Sequence, residues 1–438
     1  MDALILENFR CFRTFQRVPL TPLTFLVGEN STGKSTFLAA ARLATSFSRF
    51  GPQIDFNDPP FSLGAYDQIA SNAGGRGGRA KTFKIGYEDK EPSTNGSDPL
   101  TSSTFSLVVT YSQHVGQPMV TEIFIQCADE KITVAPASDT DSLNLQIETG
   151  DRKLSAVAKF PSPFGALPGF SLLFFLLSHV ESLRDKDGNP SGIPPDAIPK
   201  LRKLVTHTAA FHNPRCFASA PIRMKPERTY DPETDVPRPE GNHIPMVMAQ
   251  MALNTPERWK QIKTALTRFG EATGLFVDVA VKRLGSQISN PFQLKFKVSG
   301  PPDNLIDVGY GISQVLPILV EVLVSEERQF FLLQQPEVHL HPRAQAELGT
   351  FLAEIAAKQK QQFLVETHSD FLIDRVCIDI RDRKTSIRPQ DVTILYFERK
   401  RRWVKVHPIT VDDTGNIQGA PKGYRSFFLK EDARFFER

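Results

Sequence analysis

The chain is short of cysteine, has only two tryptophans, holds no long apolar run and carries no excess of either charge. Its four cysteines, Cys11, Cys127, Cys216 and Cys377, are scattered without metal-ligand or redox spacing. That argues against a disulfide framework and fits a reducing compartment. The most apolar stretch, Phe170 to Leu177 (FSLLFFLL), falls far short of the roughly 20 residues that cross a bilayer. The opening, MDALILENFR, has early acidic residues and no apolar core of a signal peptide. These absences predict a cytoplasmic protein with no membrane segment. With 52 basic and 49 acidic residues, the net charge of +3 gives no bulk attraction to nucleic acid. No sustained heptads, and hence no coiled-coil arms, are visible.

What is present reads as an α/β chain with an interruption. The 438 residues allow two or three units of ordinary size. Short apolar runs at 3–9 and 23–27 predict strands, and a helical pattern starts near Lys34. Strand-like runs at 82–87, 105–111, 121–126, 131–134 and 143–147 predict an antiparallel sheet. Residues 170–210 read as helical, 219–245 as irregular, and 245–274 as helical again. Strands are expected at 276–283 and 292–298. From Asp307 helix and strand alternate: helices at 311–326, 342–359 and 369–380, strands at 328–334, 362–367, 391–397 and 403–408. That alternation predicts a parallel core. The expected organisation is an N-terminal part at 1–160, a helical or irregular insertion at 161–275, and a C-terminal part at 276–438.

Four stretches carry chemistry. The first is GENSTGKST, Gly28 to Thr36, between a strand and a helix. Glycines let backbone N–H groups wrap a phosphate, Lys34 adds charge at the β- and γ-phosphates, and Ser35 offers a hydroxyl to Mg²⁺. The helix that follows turns its positive end toward the same phosphates. This is a P-loop, and it predicts ATP as ligand, with Gly28, Asn30, Ser31, Thr32, Gly33, Lys34, Ser35 and Thr36 as contacts. The second is RQFFLLQQPEVHLHP, Arg328 to Pro342, an apolar strand running into polar residues. A P-loop ATPase places there an acid for Mg²⁺ and a group that activates water. The third, DVGYGISQVLPIL from Asp307, sets Gly309, Gly311 and Ser313 at a helix start, which suits a phosphate or a plain N-cap. The fourth, QFLVETHSDFL from Gln362, puts His368 at a strand tip, where it can sense a γ-phosphate.

Taken in this order, the motifs resemble the ABC-type ATPase heads of the structural-maintenance-of-chromosomes, RecF and overcoming-lysogenization-defect families. LILENFRCF is similar to their first strand. QPEVHLHPRAQAEL, VGYGISQVLPIL, ETHSDFLIDR, SAPIRMKPERTYDP and PKGYRSFFLKEDARFF resemble bacterial stand-alone ATPases labelled AAA family but ABC-like in build. The resemblance implies an ABC-type head with a parallel core sheet, an antiparallel β subdomain and a helical insertion. It implies two heads closing face to face on two ATP molecules, with Gly311 and Ser313 reaching the γ-phosphate of the other subunit. It makes His368 the switch histidine, Arg10 a nucleotide contact, and Gln68 a glutamine that reaches Mg²⁺ and water.

Gln334 departs from that pattern, because an acid usually stands there; Gln335 follows it. A glutamine keeps size but cannot neutralise a metal or act as a base. It reads either as a change that traps ATP or as a natural slow or non-hydrolysing variant, with Glu337 as a substitute base. Three functions follow: an ATP-gated dimer that controls an effector such as a nuclease in anti-phage defence, a DNA-binding repair ATPase using basic runs at 215–228 and 398–403, and a scaffold in which ATP is structural glue.

Overall fold

The structure is a computed structural model. It describes residues 1–47, 54–72, 78–90, 104–136, 142–150, 152–159, 215–232, 236–285, 287, 289–325, 329–359, 361–426 and 433–434. The helical expectation at 170–210 and the apolar run inside it lie outside these residues. The chain divides into two compact units. One comprises Met1–Leu20, Thr36–Pro214 and Arg399–Val406, and the other Thr21–Ser35, Arg215–Glu398 and His407–Arg438.

The first unit is built on an eight-stranded sheet. Its strands are β1 (Ala3–Glu7), β2 (Gln16–Pro19), β4 (Thr82–Lys90), β5 (Thr104–His114), β6 (Gln117–Cys127), β7 (Glu130–Pro136), β8 (Ser142–Thr149) and β9 (Arg152–Lys159), in the order β2-β1-β4-β5-β6-β7-β8-β9. The pairs from β4 to β9 are antiparallel hairpins. Tight turns make this possible: Val115 and Gly116 both take positive φ, which matches the twist of the flanking strands. The five antiparallel strands expected from sequence are all present and longer. β9 was not foreseen, because its alternation is weak and Arg152 and Lys153 open it. One face carries the core, where Phe83 stacks on Tyr111 with centroids 5.0 Å apart and Phe56 meets Tyr111 edge-on. The helix α1 (Lys34–Ser46) contributes Phe37, whose ring meets Phe12. A one-turn helix α2 spans Tyr66–Ile69.

The second unit holds the parallel core. Its main sheet contains β3 (Leu23–Val27), β10 (Cys216–Ser219), β14 (Phe330–Gln334), β15 (Gln362–Glu366), β16 (Val392–Arg399), β17 (Val404–Val411) and β18 (Ile417–Gln418), ordered β10-β14-β15-β3-β16-β17-β18. The first five run parallel. Both faces of β3 and β14 are covered, so they read as unbroken apolar runs. β10 was missed because it is only four residues long and ends against Ala220–Pro221. A small antiparallel sheet of β11 (Asp278–Arg283), β12 (Phe292–Lys297) and β13 (Asp303–Asn304) lies in the same unit.

Its helices are α3 (Ile244–Asn254), α4 (Pro256–Thr273), α5 (Tyr310–Val324), α6 (Pro342–Gln359) and α7 (Asp370–Arg381). The helical stretch expected at 245–274 is present as two helices. Thr255 leaves helical geometry, and Pro256 starts the next helix where its missing N–H costs nothing. Gly274 ends α4 in the left-handed conformation that caps helices. α5 is buried nearly all round. The α6–α7 pair packs closely at Gly349, where any Cβ would come within 2.5 Å of the Leu372 carbonyl.

Candidate functional site

The carboxyl ends of β3, β14 and β15 gather the predicted motifs, and in open parallel sheets that edge is where ligands bind. β3 ends at Val27, and the chain then turns through Gly28 (φ 144°), Ser31 (φ 60°) and Gly33 (φ 90°). Gly28 is required for space as well as conformation: a Cβ there would stand 2.7 Å from the Phe397 carbonyl oxygen. The loop is internally braced by the Thr32 hydroxyl, which donates to the Glu29 carbonyl at 2.8 Å. Asn30 and Ser31 are exposed at its tip.

Lys34 is only 3% exposed. Its Nζ lies across the loop and donates to the Gly28 and Glu29 carbonyls at 2.9 and 2.8 Å. Burial lowers its pKa, and the nearby Glu366 carboxylate opposes that shift. Ser35 Oγ donates to Glu366 Oε2 at 2.9 Å. Glu366 closes β15 and is itself buried, which raises its pKa; the Ser35 hydroxyl and the Lys34 charge pull it back. A glycine-rich loop, an ammonium, one hydroxyl and one carboxylate make a set of groups suited to a triphosphate with a divalent cation. Mg²⁺ takes few protein ligands and draws the rest of its oxygens from phosphates and water. No group of three or more His, Cys, Asp or Glu able to hold a metal unaided occurs among the described residues.

The β14 turn is held differently. The Gln334 amide nitrogen donates to the Ser219 carbonyl at 3.1 Å, on the β10 side of the strand. Gln335 has φ 42°, and its N–H donates to the Glu366 carbonyl at 2.8 Å. Beneath them Arg223, 3% exposed, donates to the Gln334 and Gln335 carbonyls at 3.3 and 3.0 Å. Burial lowers its pKa to about 10, partly offset by Glu337, so it stays charged at neutral pH. Glu337 is buried and accepts the His368 backbone N–H at 2.8 Å. Burial raises its pKa, against that hydrogen bond and the Arg223 charge. The turn therefore fixes the tip of β15. The His368 ring is exposed; partial burial and the Lys34 charge lower its pKa, so it is neutral at pH 7.

The helix start at α5 is less simple than its sequence. Gly309 and Tyr310 are exposed, but Ser313 is 1% exposed and its hydroxyl donates to the Tyr310 carbonyl at 2.7 Å. Ser313 thus stays within its own turn. Gly311 is needed for close approach, since a Cβ would reach 2.8 Å from the His339 carbonyl. One step on, Gln314 is buried and accepts the Arg223 N–H while donating to the Met224 carbonyl at 3.2 Å. Arg228 grips Asp307 with two hydrogen bonds of 2.8 and 2.6 Å. The 219–228 segment therefore ties the β14 turn to the start of α5.

Sequence reasoning missed Glu366 and Arg223. Glu366 was legible as a lone charge ending an apolar strand. Arg223 was hidden in the basic run at 215–228. Arg10 and Gln68 stand in the first unit. Arg10 donates to the Leu63 carbonyl at 2.9 Å, and Gln68 Oε1 accepts the Ala65 N–H at 3.1 Å. Among the described residues no helix is long and apolar enough to cross a membrane.

The sequence model of the AAA ATPase domain family matches residues 1–133 and 250–373, more than half of the chain. No curated protein matches significantly. Among solved structures, an Smc head bound to the C-terminal winged-helix domain of ScpA is 10% identical, covers 93% of this chain and 97% of its own, and gives a TM-score of 0.48. An Smc head with extended coiled coil bound to the C-terminal domain of ScpA, from Pyrococcus furiosus, is 8% identical with 99% of each chain covered and a TM-score of 0.43. The SMC head domain from Thermotoga maritima is 11% identical, with 94% and 99% covered and a TM-score of 0.38.

Proposed function

The chain belongs to the AAA ATPase domain family, and on that premise we propose that it is an ATP-gated head that closes on a second copy of itself around ATP and Mg²⁺. ATP and Mg²⁺ bind at Gly28 to Thr36, with Lys34 moving from its loop carbonyls onto the β- and γ-phosphates. The single observation that carries this is the cluster of Lys34, Ser35 and Glu366 at the carboxyl end of β3. His368, at the tip of β15 and within reach of the Lys34 charge, would meet a γ-phosphate there as a hydrogen-bonding group. Bound Mg²⁺ supplies charge neutralisation of the phosphates. The chain's residues supply the cradle, the hydroxyl and the carboxylate.

The second copy meets the nucleotide through the exposed start of α5. Gly309, Tyr310 and Gly311 form that surface, and Ser313 supports it from inside. The dimer controls a partner effector such as a nuclease, in anti-phage defence. The support for that role is the likeness of QPEVHLHPRAQAEL, VGYGISQVLPIL and ETHSDFLIDR to bacterial stand-alone ATPases. The DNA-binding reading loses two of its cations, since Arg223 is buried and Arg228 is engaged with Asp307.

Calorimetric titration with ATP and Mg²⁺ tests the site. The wild-type chain is expected to bind, and Lys34→Ala to bind about 10–100-fold more weakly, the worth of a charge-assisted hydrogen bond. Equal affinity in both would refute it.

A further inference from the structure

The sequence places the metal-site acid of this fold at Gln334, which has no charge. We propose that the acid has moved one strand across the sheet, and that Glu366 is the carboxylate that holds Mg²⁺ with Ser35. This inference rests on the ATP site proposed above.

Three observations carry it. Gln334 and Glu366 are register partners on neighbouring parallel strands, so their side chains leave the sheet on the same face. Glu366 in turn pairs with Leu26 of β3, one residue before the strand ends, and is therefore a strand nearer the P-loop. The two side chains also point to different neighbours. Gln334 spends its amide on the Ser219 carbonyl of β10, away from β3. Glu366 accepts the hydroxyl of Ser35, the one P-loop side chain suited to Mg²⁺. In P-loop ATPases an acid and the P-loop hydroxyl share the metal. Here that pairing is made, with a different residue.

The chemistry agrees. A buried carboxylate is costly unless something compensates it. Lys34 and the Ser35 hydroxyl are its compensation in the free protein. With Lys34 drawn to the phosphates, Ser35 and Glu366 would hold the divalent cation, which would supply the counter-charge that Lys34 gives up. On this account Gln334 and Gln335 do not mark a site that has lost its metal. Gln334 is a structural tie to β10, and Glu366 does the work of the missing acid.

The test uses the full chain and Mg²⁺ or Mn²⁺ as the probe metal. ATP affinity is measured by calorimetry with EDTA and again with excess Mg²⁺, for wild type, Glu366→Gln, Glu366→Asp and Gln334→Glu. Mn²⁺ binding to each ATP complex is read by electron paramagnetic resonance. Glu366→Gln is expected to bind ATP in EDTA as well as wild type or better, which also shows that it is folded. It should lose the Mg²⁺-dependent gain and bind Mn²⁺ about 10–100-fold more weakly. Glu366→Asp should recover part of both. Gln334→Glu in the wild-type background should change Mn²⁺ binding little. If Glu366→Gln keeps the full Mg²⁺ gain and wild-type Mn²⁺ affinity, the assignment is wrong while the ATP site stands. If the wild type binds no ATP in either condition, both fall.

Discussion

Arg223 offers a quantitative test of how the site is held. Its guanidinium is buried, donates to two main-chain carbonyls of the β14 turn, and faces the Glu337 carboxylate. Replacing it by methionine keeps most of the volume but takes one donor from each carbonyl, Gln335 keeping only the Val338 N–H at 3.2 Å, and leaves Glu337 without a counter-charge. Breaking a buried charge pair from one side costs about 3–5 kcal/mol. One of the two hydrogen bonds is long, at 3.3 Å, which favours the lower end. In a unit of this size each kcal/mol moves the melting temperature by about 2–4 °C, so the expected fall is roughly 6–20 °C. The assay is thermal and denaturant unfolding, with the denaturant slope compared to confirm that the same transition is followed. Arg228→Ala is the control. Its partner Asp307 is exposed, so solvent screens the pair and its loss should cost less than that of Arg223 despite its shorter distances. A loss below about 1 kcal/mol for Arg223→Met, or a larger loss for Arg228→Ala, would refute the reasoning that burial decides the ranking.

Two further outcomes follow from the same geometry. Gly28→Ala places a Cβ against the Phe397 carbonyl at a φ that alanine avoids, and should cost at least about 1–3 kcal/mol and weaken ATP binding; an unchanged denaturant midpoint would contradict it. Glu366 has a folded pKa raised above its ordinary 4.5, so its ionisation costs stability as pH climbs through the raised value, and that cost persists above it. Without nucleotide or metal, Glu366→Gln should therefore melt above wild type at pH 7–8, with the difference vanishing near pH 3, where both states are protonated. The opposite ordering at neutral pH would mean that the carboxylate is stabilised by its surroundings.

Much of this arrangement is legible in the sequence, for identifiable reasons. The P-loop is local: strand, glycine-rich turn and helix follow one another, and β3 ends at Val27 as the apolar run predicts. The alternation after Asp307 is also local, and α6 spans Pro342–Gln359 as expected. What could not be read depends on register and burial. Glu366 matters because β15 lies between β14 and β3, an order set by tertiary packing. Arg223 sits among Arg215, Lys225 and Arg228, and nothing in composition separates the buried cation from the exposed ones. Ser313 was placed correctly at a helix start, but the orientation of its hydroxyl toward the Tyr310 carbonyl is a matter of rotamer. β10 is too short to carry a period.

The central claim is that ATP bound at Gly28 to Thr36 brings two copies of this head together. The most direct measurement is mass in solution by light scattering, with excess Mg²⁺ and either a non-hydrolysable ATP analogue or ADP. The account predicts one copy, 48.9 kDa, with ADP and two copies with the analogue, and no such change for Lys34→Ala. A wild-type chain that stays at 48.9 kDa with the analogue saturating its site would contradict it.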